Sequence, residues 1–201
     1  MNEEVSKGLP VMEIFDSIQG EGQYIGWPAT FIRLAGCNLR CPWCDTKESW
    51  TYPALSVSVD EIVSKCNRDM VVITGGEPCL YDLSELTSQL CGQDKFICLE
   101  TNGTLPTPAH VDWITCSPKP PLYAIHPKCA FDELKYVVDK AFNPDVAIPE
   151  HFKDLNGDFH LIWLQPEATH MKASVKKAIE LVMAKDYLRM GIQMHKVFNV
   201  K

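Results

Sequence analysis

The sequence has neither a long apolar run nor an excess of positive charge. No hydrophobic stretch approaches the roughly 20 residues that a membrane-spanning helix needs, so no membrane partner is expected. The 201 residues carry 19 Lys and Arg against 26 Asp and Glu, which gives a formal net charge of −7. Because general nucleic-acid binders depend on Lys and Arg against phosphates, this balance argues against a nucleic-acid partner.

Internal repeats, low-complexity tracts and linker-like segments are also missing. We therefore expect one domain over residues 1–201. Residues 1–4 (MNEE) are acidic, whereas a secretory leader begins with basic residues. The nine cysteines are odd in number, which fits free thiols in the cytoplasm better than a disulfide framework.

Three of those cysteines, Cys37, Cys41 and Cys44, stand close together in the order C-x3-C-x2-C. Thiolates are soft ligands that select iron–sulfur clusters, zinc or cuprous copper. A structural zinc site needs a fourth ligand, and no Cys or His lies within a few residues to supply one. Three thiolates on a four-iron cluster leave one iron open for chemistry. A zinc site with a distant fourth ligand, or three free thiols, are the alternatives.

Short apolar strands alternate with helices, which is typical of an α/β protein with a mostly parallel sheet. Strands are predicted at 30–34, 70–74, 96–100, 113–116, 133–138, 160–164 and 188–194. Helices are predicted from a cap at Ser58 to Cys66, from a cap at Asp82 to Gln89, and after a cap at Ser174 with Val175, Ala178, Ile179 and Val182 on one face. A complete eight-fold barrel typically needs about 250 residues, so we expect a partial, open barrel.

Several of these strands end in polar or glycine-rich turns. The turns are the cysteine loop, 74–77, 100–102, 117–119, Gln165 and 193–195. Since the carboxyl ends of parallel strands face the side where ligands bind, we expect these turns to converge on one pocket. Ordinary turn chemistry explains the Ser, Asn and Gly residues among them. It explains Glu77, Glu100, Lys119 and His195 less well.

The cysteine spacing resembles the cluster-binding signature of the radical S-adenosylmethionine (SAM) superfamily. Gly75-Gly76-Glu77-Pro78 follows a buried strand about 30 residues later and resembles that superfamily's Gly-Gly-Glu motif. The resemblance implies a [4Fe–4S] cluster on Cys37, Cys41 and Cys44. It also implies that the open iron chelates the amino and carboxylate groups of SAM.

Motifs over essentially the whole chain are similar to those of the 7-carboxy-7-deazaguanine synthase family. They are QGEG (19–22), CDT (44–46), ITGGEP (73–78), ETNG (100–103), SPK (117–119), LQP (164–166) and QMHK (193–196). That family converts 6-carboxy-5,6,7,8-tetrahydropterin to 7-carboxy-7-deazaguanine with loss of ammonia, on the way to queuosine and related deazapurines. The resemblance implies a lyase that uses the cluster, SAM and Mg2+, forms a homodimer and accepts electrons from a flavodoxin-like donor.

The resemblance also implies roles for individual residues, with no catalytic residue beyond the cluster and SAM. Thr46 would ligate Mg2+, a hard cation that suits an oxygen ligand. SAM would contact Trp43, Cys44, Asp45, Gly76, Ser117, Pro118, Lys119 and Gln165. The pterin would contact Ile18, Gln19, Gly20, Glu21, Arg33, Thr74, His195 and, through its backbone, Lys201. The residue chemistry agrees, because glycines let backbone groups approach a flat ligand and a guanidinium fork suits a carboxylate.

Two other functions share part of these signals. Another small radical SAM enzyme, such as a glycyl-radical activase, would keep the cysteine loop and the Gly-Gly-Glu motif. It would not need Thr46, Arg33 or the loop 19–22. A non-catalytic interaction module would use the three cysteines as zinc ligands.

Overall fold

The computed structural model describes residues 8–153 and 161–201. Its strands are β1 (Leu9–Ile18), β2 (Pro28–Leu34), β3 (Ser56–Val57), β4 (Met70–Gly75), β5 (Phe96–Thr101), β6 (Trp113–Cys116), β7 (Glu133–Val138), β8 (Leu161–Pro166) and β9 (Arg189–Met190). Its helices are α1 (Val59–Ser64), α2 (Ser84–Cys91), α3 (Pro144–Ala147), α4 (Met171–Ala184) and α5 (Met194–Phe198). Single 3-10 turns lie at Lys47–Trp50, Pro78–Leu80 and Glu150–Phe152.

The strands form one open sheet in the order β3-β1-β2-β4-β5-β6-β7-β8-β9. From β2 through β9 every pairing is parallel. Only β1 and β3, at one end, pair antiparallel. The prediction of a mostly parallel, open α/β sheet is therefore confirmed. The carboxyl ends of the parallel strands share one edge, which is the edge that carries the site.

Apolar strand residues supply the core on the helix-covered face of the sheet. Ile32, Ile73 and Leu99, on three neighbouring strands, are fully buried in one cluster with α1 and α2. On β7, Leu134 and Tyr136 are buried in a second cluster, which also contains β8 and α4 residues. Since side chains alternate across a strand, the polar residues of β7 face the opposite side.

Most predicted elements are confirmed, and the cap at Ser58 is present, with its side chain accepting the Glu61 N–H at 3.3 Å. Two helix starts are wrong. Helix α2 begins at Ser84, so Asp82 lies before the cap position, although its carboxylate accepts the Ser84 N–H at 3.0 Å. Helix α4 begins at Met171, before the predicted cap at Ser174.

Ser174 is a buried serine inside α4, and its hydrogen bonds explain the misplaced start. Its hydroxyl accepts the Glu167 N–H at 2.7 Å and donates to the Val138 carbonyl oxygen. The side chain thus joins the helix to β7 and to the turn after β8. Ile179, predicted on the buried face, is 48% exposed.

The last predicted strand, 188–194, is also mostly wrong. Only Arg189 and Met190 pair with β8, and the Gly191 N–H makes one further bond to the Leu164 carbonyl oxygen at 2.9 Å. Met194 already belongs to α5. His160, the predicted start of β8, and residues 1–4 lie outside the described residues. Within the described ranges, no helix is long and apolar enough to cross a membrane.

Candidate active site

A cavity of about 260 Å³ lies where the parallel strands end. It is lined by all the residues to which the family resemblance assigned a ligand contact except Pro118, which is buried and stands in sequence between two lining residues. The lining residues among them are Ile18, Gln19, Gly20, Glu21, Arg33, Cys37, Cys41, Trp43, Cys44, Asp45, Thr46, Thr74, Gly76, Ser117, Lys119, Gln165, His195 and Lys201. Segments far apart in sequence therefore meet in one pocket, as the shared strand edge requires.

One side of the cavity, which we call the thiol wall, consists of Cys37, Cys41 and Cys44. All three thiols are partly exposed. The Cys37 sulfur accepts the Leu39 N–H and the Cys44 sulfur accepts the Thr46 N–H, each at 3.4 Å. Burial raises the pKa of Cys37 and of Cys41. These sulfurs therefore face the cavity as acceptors, with backbone donors behind two of them.

The donor set of the thiol wall fits an iron–sulfur cluster chemically. Thiolates are the ligands of such clusters, with one thiolate on each ligated iron. Three thiols on one cavity, with N–H···S bonds of the kind that tune such clusters, match three ligated irons and one open iron.

The Gly-Gly-Glu segment after β4 approaches the cysteine loop backbone to backbone. The Gly76 N–H donates to the Leu34 carbonyl oxygen at 3.0 Å, and the Glu77 N–H donates to the Gly36 carbonyl oxygen at 2.8 Å. A Cβ on Gly76 would lie 1.9 Å from that Gly36 oxygen. Only glycine therefore fits at position 76, and the strand end fixes the start of the thiol wall.

The Glu77 side chain turns away from the cavity. It is fully buried and accepts hydrogen bonds from the Thr101 hydroxyl at 2.7 Å, the Asn102 N–H at 2.6 Å and the Cys79 N–H at 3.0 Å. Buried charges are tolerated when they are fully hydrogen-bonded. Glu77 is therefore a tie between the ends of β4 and β5, not a ligand contact.

A second group of lining side chains, which we call the carboxylate wall, consists of Glu21, Glu100, Lys135 and Gln19. The Lys135 ammonium pairs with Glu21 and lies 4.0 Å from a Glu100 oxygen. Gln19 donates to Glu100 at 3.3 Å, and the Thr74 hydroxyl donates to the other Glu100 oxygen at 3.1 Å. The four side chains form one connected network in the lining of the pocket.

Charge pairing controls protonation in this wall. Burial raises the pKa of Glu21, but Lys135 outweighs that effect, so the net pKa lies below its ordinary value. Burial likewise lowers the pKa of Lys135, and the carboxylates of Glu21 and Glu100 reverse it to a raised value. Both partners are therefore held in their charged forms.

A second lysine lies where SAM is predicted to bind. Lys119 donates to the Ser117 hydroxyl, and its ammonium is 5.6 Å from the centre of the Trp43 ring. The Trp43 indole N–H donates to Asp139 at 3.2 Å, which fixes the ring. Burial, aided by the nearby Lys135 charge, lowers the pKa of Lys119 to about 8.

The loop 19–27 and the start of α5 close the pocket together. The Gly20 carbonyl oxygen accepts the Met194 N–H at 2.9 Å, and a Cβ on Gly20 would lie 2.1 Å from Nδ1 of His195. The Gln193 amide donates to Glu21 at 2.7 Å. His195 therefore reaches the cavity from a helix and not from the strand end predicted for it.

Arg33 faces the cavity with a partner that the sequence did not suggest. Its Nε pairs with Glu13 at 2.8 Å, and its guanidinium carbon lies 5.8 Å from the centre of the Phe15 ring. The Lys201 ammonium also pairs with Glu13, at 2.6 Å, and the Lys201 carbonyl oxygen accepts from the Ser17 hydroxyl. Glu13 thus gathers two of the predicted substrate contacts.

Asp45 and Thr46 continue the cavity beyond the thiol wall. Asp45 accepts from the Lys196 ammonium at 2.8 Å and from the Gln193 amide at 3.4 Å. Burial raises the pKa of Asp45, but Lys196 outweighs it and lowers that pKa to about 2. The Thr46 hydroxyl donates a hydrogen bond to the Asp45 carboxylate at 3.3 Å.

Several cavity residues were not predicted from the sequence, among them Lys135, Phe15 and Trp50. A signal for Lys135 exists in the predicted strand 133–138. There Glu133 and Lys135 alternate with apolar residues, so the strand places charged side chains on its inner face.

A family model described as the radical SAM superfamily matches residues 31–169, so the chain belongs to that class of enzymes, whose cofactors are a [4Fe–4S] cluster and SAM. The chain is 37% identical to the 7-carboxy-7-deazaguanine synthase of Synechocystis sp., over 100% of this chain and 98% of that protein. It is 36% identical to the synthase of Bacteroides thetaiotaomicron, over 95% of this chain and 98% of that protein.

A solved structure agrees with these relatives. The crystal structure of QueE from Escherichia coli superposes with a TM-score of 0.76 at 30% identity, over 94% of this chain and 95% of that chain. Within the superfamily, the chain belongs to the 7-carboxy-7-deazaguanine synthase family. The two family predictions are confirmed, and the glycyl-radical activase and zinc-module alternatives are set aside. The roles of individual residues stay predictions.

Proposed function

We propose that the chain uses this pocket to convert 6-carboxy-5,6,7,8-tetrahydropterin to 7-carboxy-7-deazaguanine with release of ammonia, in queuosine-type deazapurine biosynthesis. The observation that carries the proposal is the chemistry of two groups of side chains that line one cavity. One offers three thiols to a metal cluster, and the other offers charged and amide groups to a flat, polar organic molecule. A cavity with convergent polar groups is typical of a substrate site.

The thiol side is the cofactor side in this proposal. Cys37, Cys41 and Cys44 hold the [4Fe–4S] cluster. SAM is bound by Trp43, Cys44, Asp45, Gly76, Ser117, Pro118, Lys119 and Gln165. When bound, the cluster and SAM would together supply a one-electron cleavage of SAM, which yields a radical able to take a hydrogen atom from the substrate. The chain contributes the close approach allowed by Gly76 and the polar groups of Ser117 and Lys119.

The carboxylate side is the substrate side. The pterin is bound by Ile18, Gln19, Gly20, Glu21, Arg33, Thr74, His195 and the backbone of Lys201. Its amino and ring N–H groups meet carboxylate and amide acceptors, and its carboxylate meets the guanidinium of Arg33. Thr46 supplies an oxygen ligand to Mg2+, which prefers oxygen donors. Orientation and exclusion of water are the protein's main contributions to such chemistry.

The remaining parts of the proposal concern the whole protein. Residues 1–201 form one domain, two copies form a homodimer, and a flavodoxin-like protein supplies the electron. The protein works in the cytoplasm, where thiols stay reduced. The support for the dimer and for the electron donor is the family resemblance.

The test is a reconstituted reaction. The protein is loaded with iron and sulfide without oxygen and incubated with SAM, reductant, Mg2+ and the carboxy-tetrahydropterin, and the products are measured by mass spectrometry. We expect 7-carboxy-7-deazaguanine and ammonia, formed only when reductant and SAM are both present. SAM cleavage without any deazaguanine product would retain the superfamily chemistry and refute the substrate.

A further inference from the structure

We propose that Lys135 is a positioning residue of the substrate site, whose ammonium fixes Glu21 and Glu100 as the acceptors that meet the N–H edge of the pterin ring. This inference rests on the proposed function. It adds a residue to which the family resemblance assigned no role.

The position of Lys135 on the sheet directs its side chain into the cavity. On β7 it alternates with Leu134 and Tyr136, which are fully buried on the other face. The Lys135 side chain is only 12% exposed, as is that of Glu21. Such burial of a lysine is costly unless the charge is paired. The burial of the Lys135 ammonium is therefore explained by the carboxylates around it.

Those groups are acidic, so one ammonium serves two carboxylates. Lys135 pairs with Glu21 and lies 4.0 Å from Glu100. Two neighbouring carboxylates repel each other unless a cation lies between them. Lys135 thus holds both side chains in place as acceptors at the cavity surface.

The other charged groups around the pocket are engaged with different partners. Asp45 pairs with Lys196, and Lys119 donates to the Ser117 hydroxyl. The buried carboxylate of Glu133 accepts from the hydroxyl of Thr115 at 2.6 Å, the indole of Trp163 at 2.7 Å and the N–H of Gln23 at 3.0 Å. His195 also faces Glu21, with a pKa lowered by burial. Among the described residues, the cation paired with Glu21 is therefore Lys135.

The same contact fixes the loop that carries the predicted pterin contacts. Glu21 belongs to the loop 19–27, and its N–H donates to the side-chain oxygen of Gln19 at 3.2 Å. From β7, Lys135 holds this loop by Glu21 while Glu133 holds it by the backbone of Gln23. Loss of Lys135 should therefore displace Gln19 and Glu21 together.

The decisive variant is Lys135→Met, which keeps the aliphatic stem and removes the charge. With SAM present and reductant omitted, we expect the Kd for the carboxy-tetrahydropterin to rise at least about 30-fold, the lower end for removing one partner of a buried charge pair. Lys135→Met should still cleave SAM reductively without substrate, because it retains the three cysteines of the thiol wall. Lys135→Arg should recover most of the binding. Lys65→Met, which removes an exposed ion pair with Glu61 on α1, is the matched control and should bind substrate normally.

A double-variant cycle tests whether Lys135 acts through Glu21. If it does, Lys135→Met with Glu21→Gln binds substrate no worse than Lys135→Met alone, and summed losses would overturn the inference. In the double variant, Glu21 no longer carries a buried charge without its ammonium partner. The double variant can therefore be measured even if Lys135→Met alone fails to fold. Normal substrate binding by Lys135→Met would overturn the inference and spare the proposed function. A wild-type protein that cleaves SAM but does not bind the pterin would overturn both.

Discussion

The two walls of the cavity are built on opposite plans. In the thiol wall, the sulfurs of Cys37 and Cys44 receive one long N–H bond each, and the loop that carries them has no regular secondary structure before its 3-10 turn. In the carboxylate wall, Glu21, Glu100 and Lys135 are joined to one another and to neighbouring amides and hydroxyls. One wall leaves its strongest ligands facing the cavity, whereas the other satisfies its charges internally.

The difference fits the ligands that we propose for the two walls, a metal cluster at the thiols and an organic substrate at the carboxylates. A metal centre forms short bonds to thiolates, so those donors gain nothing from strong protein partners of their own. An organic substrate makes weaker hydrogen bonds, whose strength depends on groups that are already charged and oriented. We therefore expect changes in the thiol wall to affect cofactor binding more than stability, and changes at tightly packed contacts to affect both.

The largest effect is expected from Cys41→Ala. The variant should lose the cluster and all reductive SAM cleavage, because one ligated iron loses its thiolate. The melting temperature of the cluster-free protein should stay close to that of the cluster-free wild type. Iron analysis, product assay and thermal unfolding measure the three quantities. Cys91→Ala, at an exposed position on α2, is the matched control and should retain iron. A large loss of stability in Cys41→Ala would break the contrast between the walls.

A smaller effect, on both folding and cofactor binding, is expected from Gly76→Ala. The added methyl meets the Gly36 carbonyl oxygen at 1.9 Å, backbone that cannot move without shifting the cysteine loop. We expect the free energy of unfolding to fall by about 2 kcal/mol, within the range for overpacking, together with weaker cluster retention. Chemical denaturation and iron content measure the two changes.

The control for that change is Gly92→Ala at the end of α2. There the nearest atoms to an added Cβ lie at 3.5 Å, an ordinary contact, and the backbone is helical. We expect stability to be unchanged or slightly raised. Equal losses in the two variants would show that the close approach at Gly76 is not the cause.

The smallest effect is expected from Thr46→Ala, which sharpens the comparison by testing a residue next to the thiol wall. If the Thr46 hydroxyl ligates Mg2+, its loss should raise the Mg2+ concentration for half-maximal turnover about tenfold, equivalent to about 1.4 kcal/mol. Thr46→Ser retains the oxygen and should respond nearly as the wild type does. Titration of turnover with Mg2+ is the measurement, and an unchanged response in Thr46→Ala would remove the ligand role.

The sequence predicted the sheet well because its strands are nearly continuous apolar runs. Met70 to Ile73 are all buried, as expected for a strand covered on both faces. The prediction from sequence failed where side chains make hydrogen bonds to residues that are distant in sequence. Serine is a common helix-capping residue, yet the Ser174 hydroxyl donates to the Val138 carbonyl oxygen, which lies 36 positions away in sequence. No local pattern reports such a partner.

The site was predictable where a motif is local and unpredictable where the partners are distant. Cys37, Cys41 and Cys44 share a short segment, so spacing alone revealed them. Lys135 becomes meaningful only beside Glu21, which lies 114 positions away along the chain. Glu77 was recognised as part of a motif, but its burial against β5 depends on tertiary structure that the motif does not encode.

The two walls differ in how far apart along the chain their contacting residues lie, and this difference affects how the pocket could change during evolution. The thiol wall and the glycine strand end that supports it follow two strands that are neighbours in the sheet, β2 and β4, and are joined by backbone hydrogen bonds. The carboxylate wall joins the loop after β1 to the start of α5, with 172 positions between Glu21 and Gln193. If the walls bind the ligands that we propose, a mutation in one distal segment can alter the substrate contacts while the cysteine loop and its backbone hydrogen bonds stay intact.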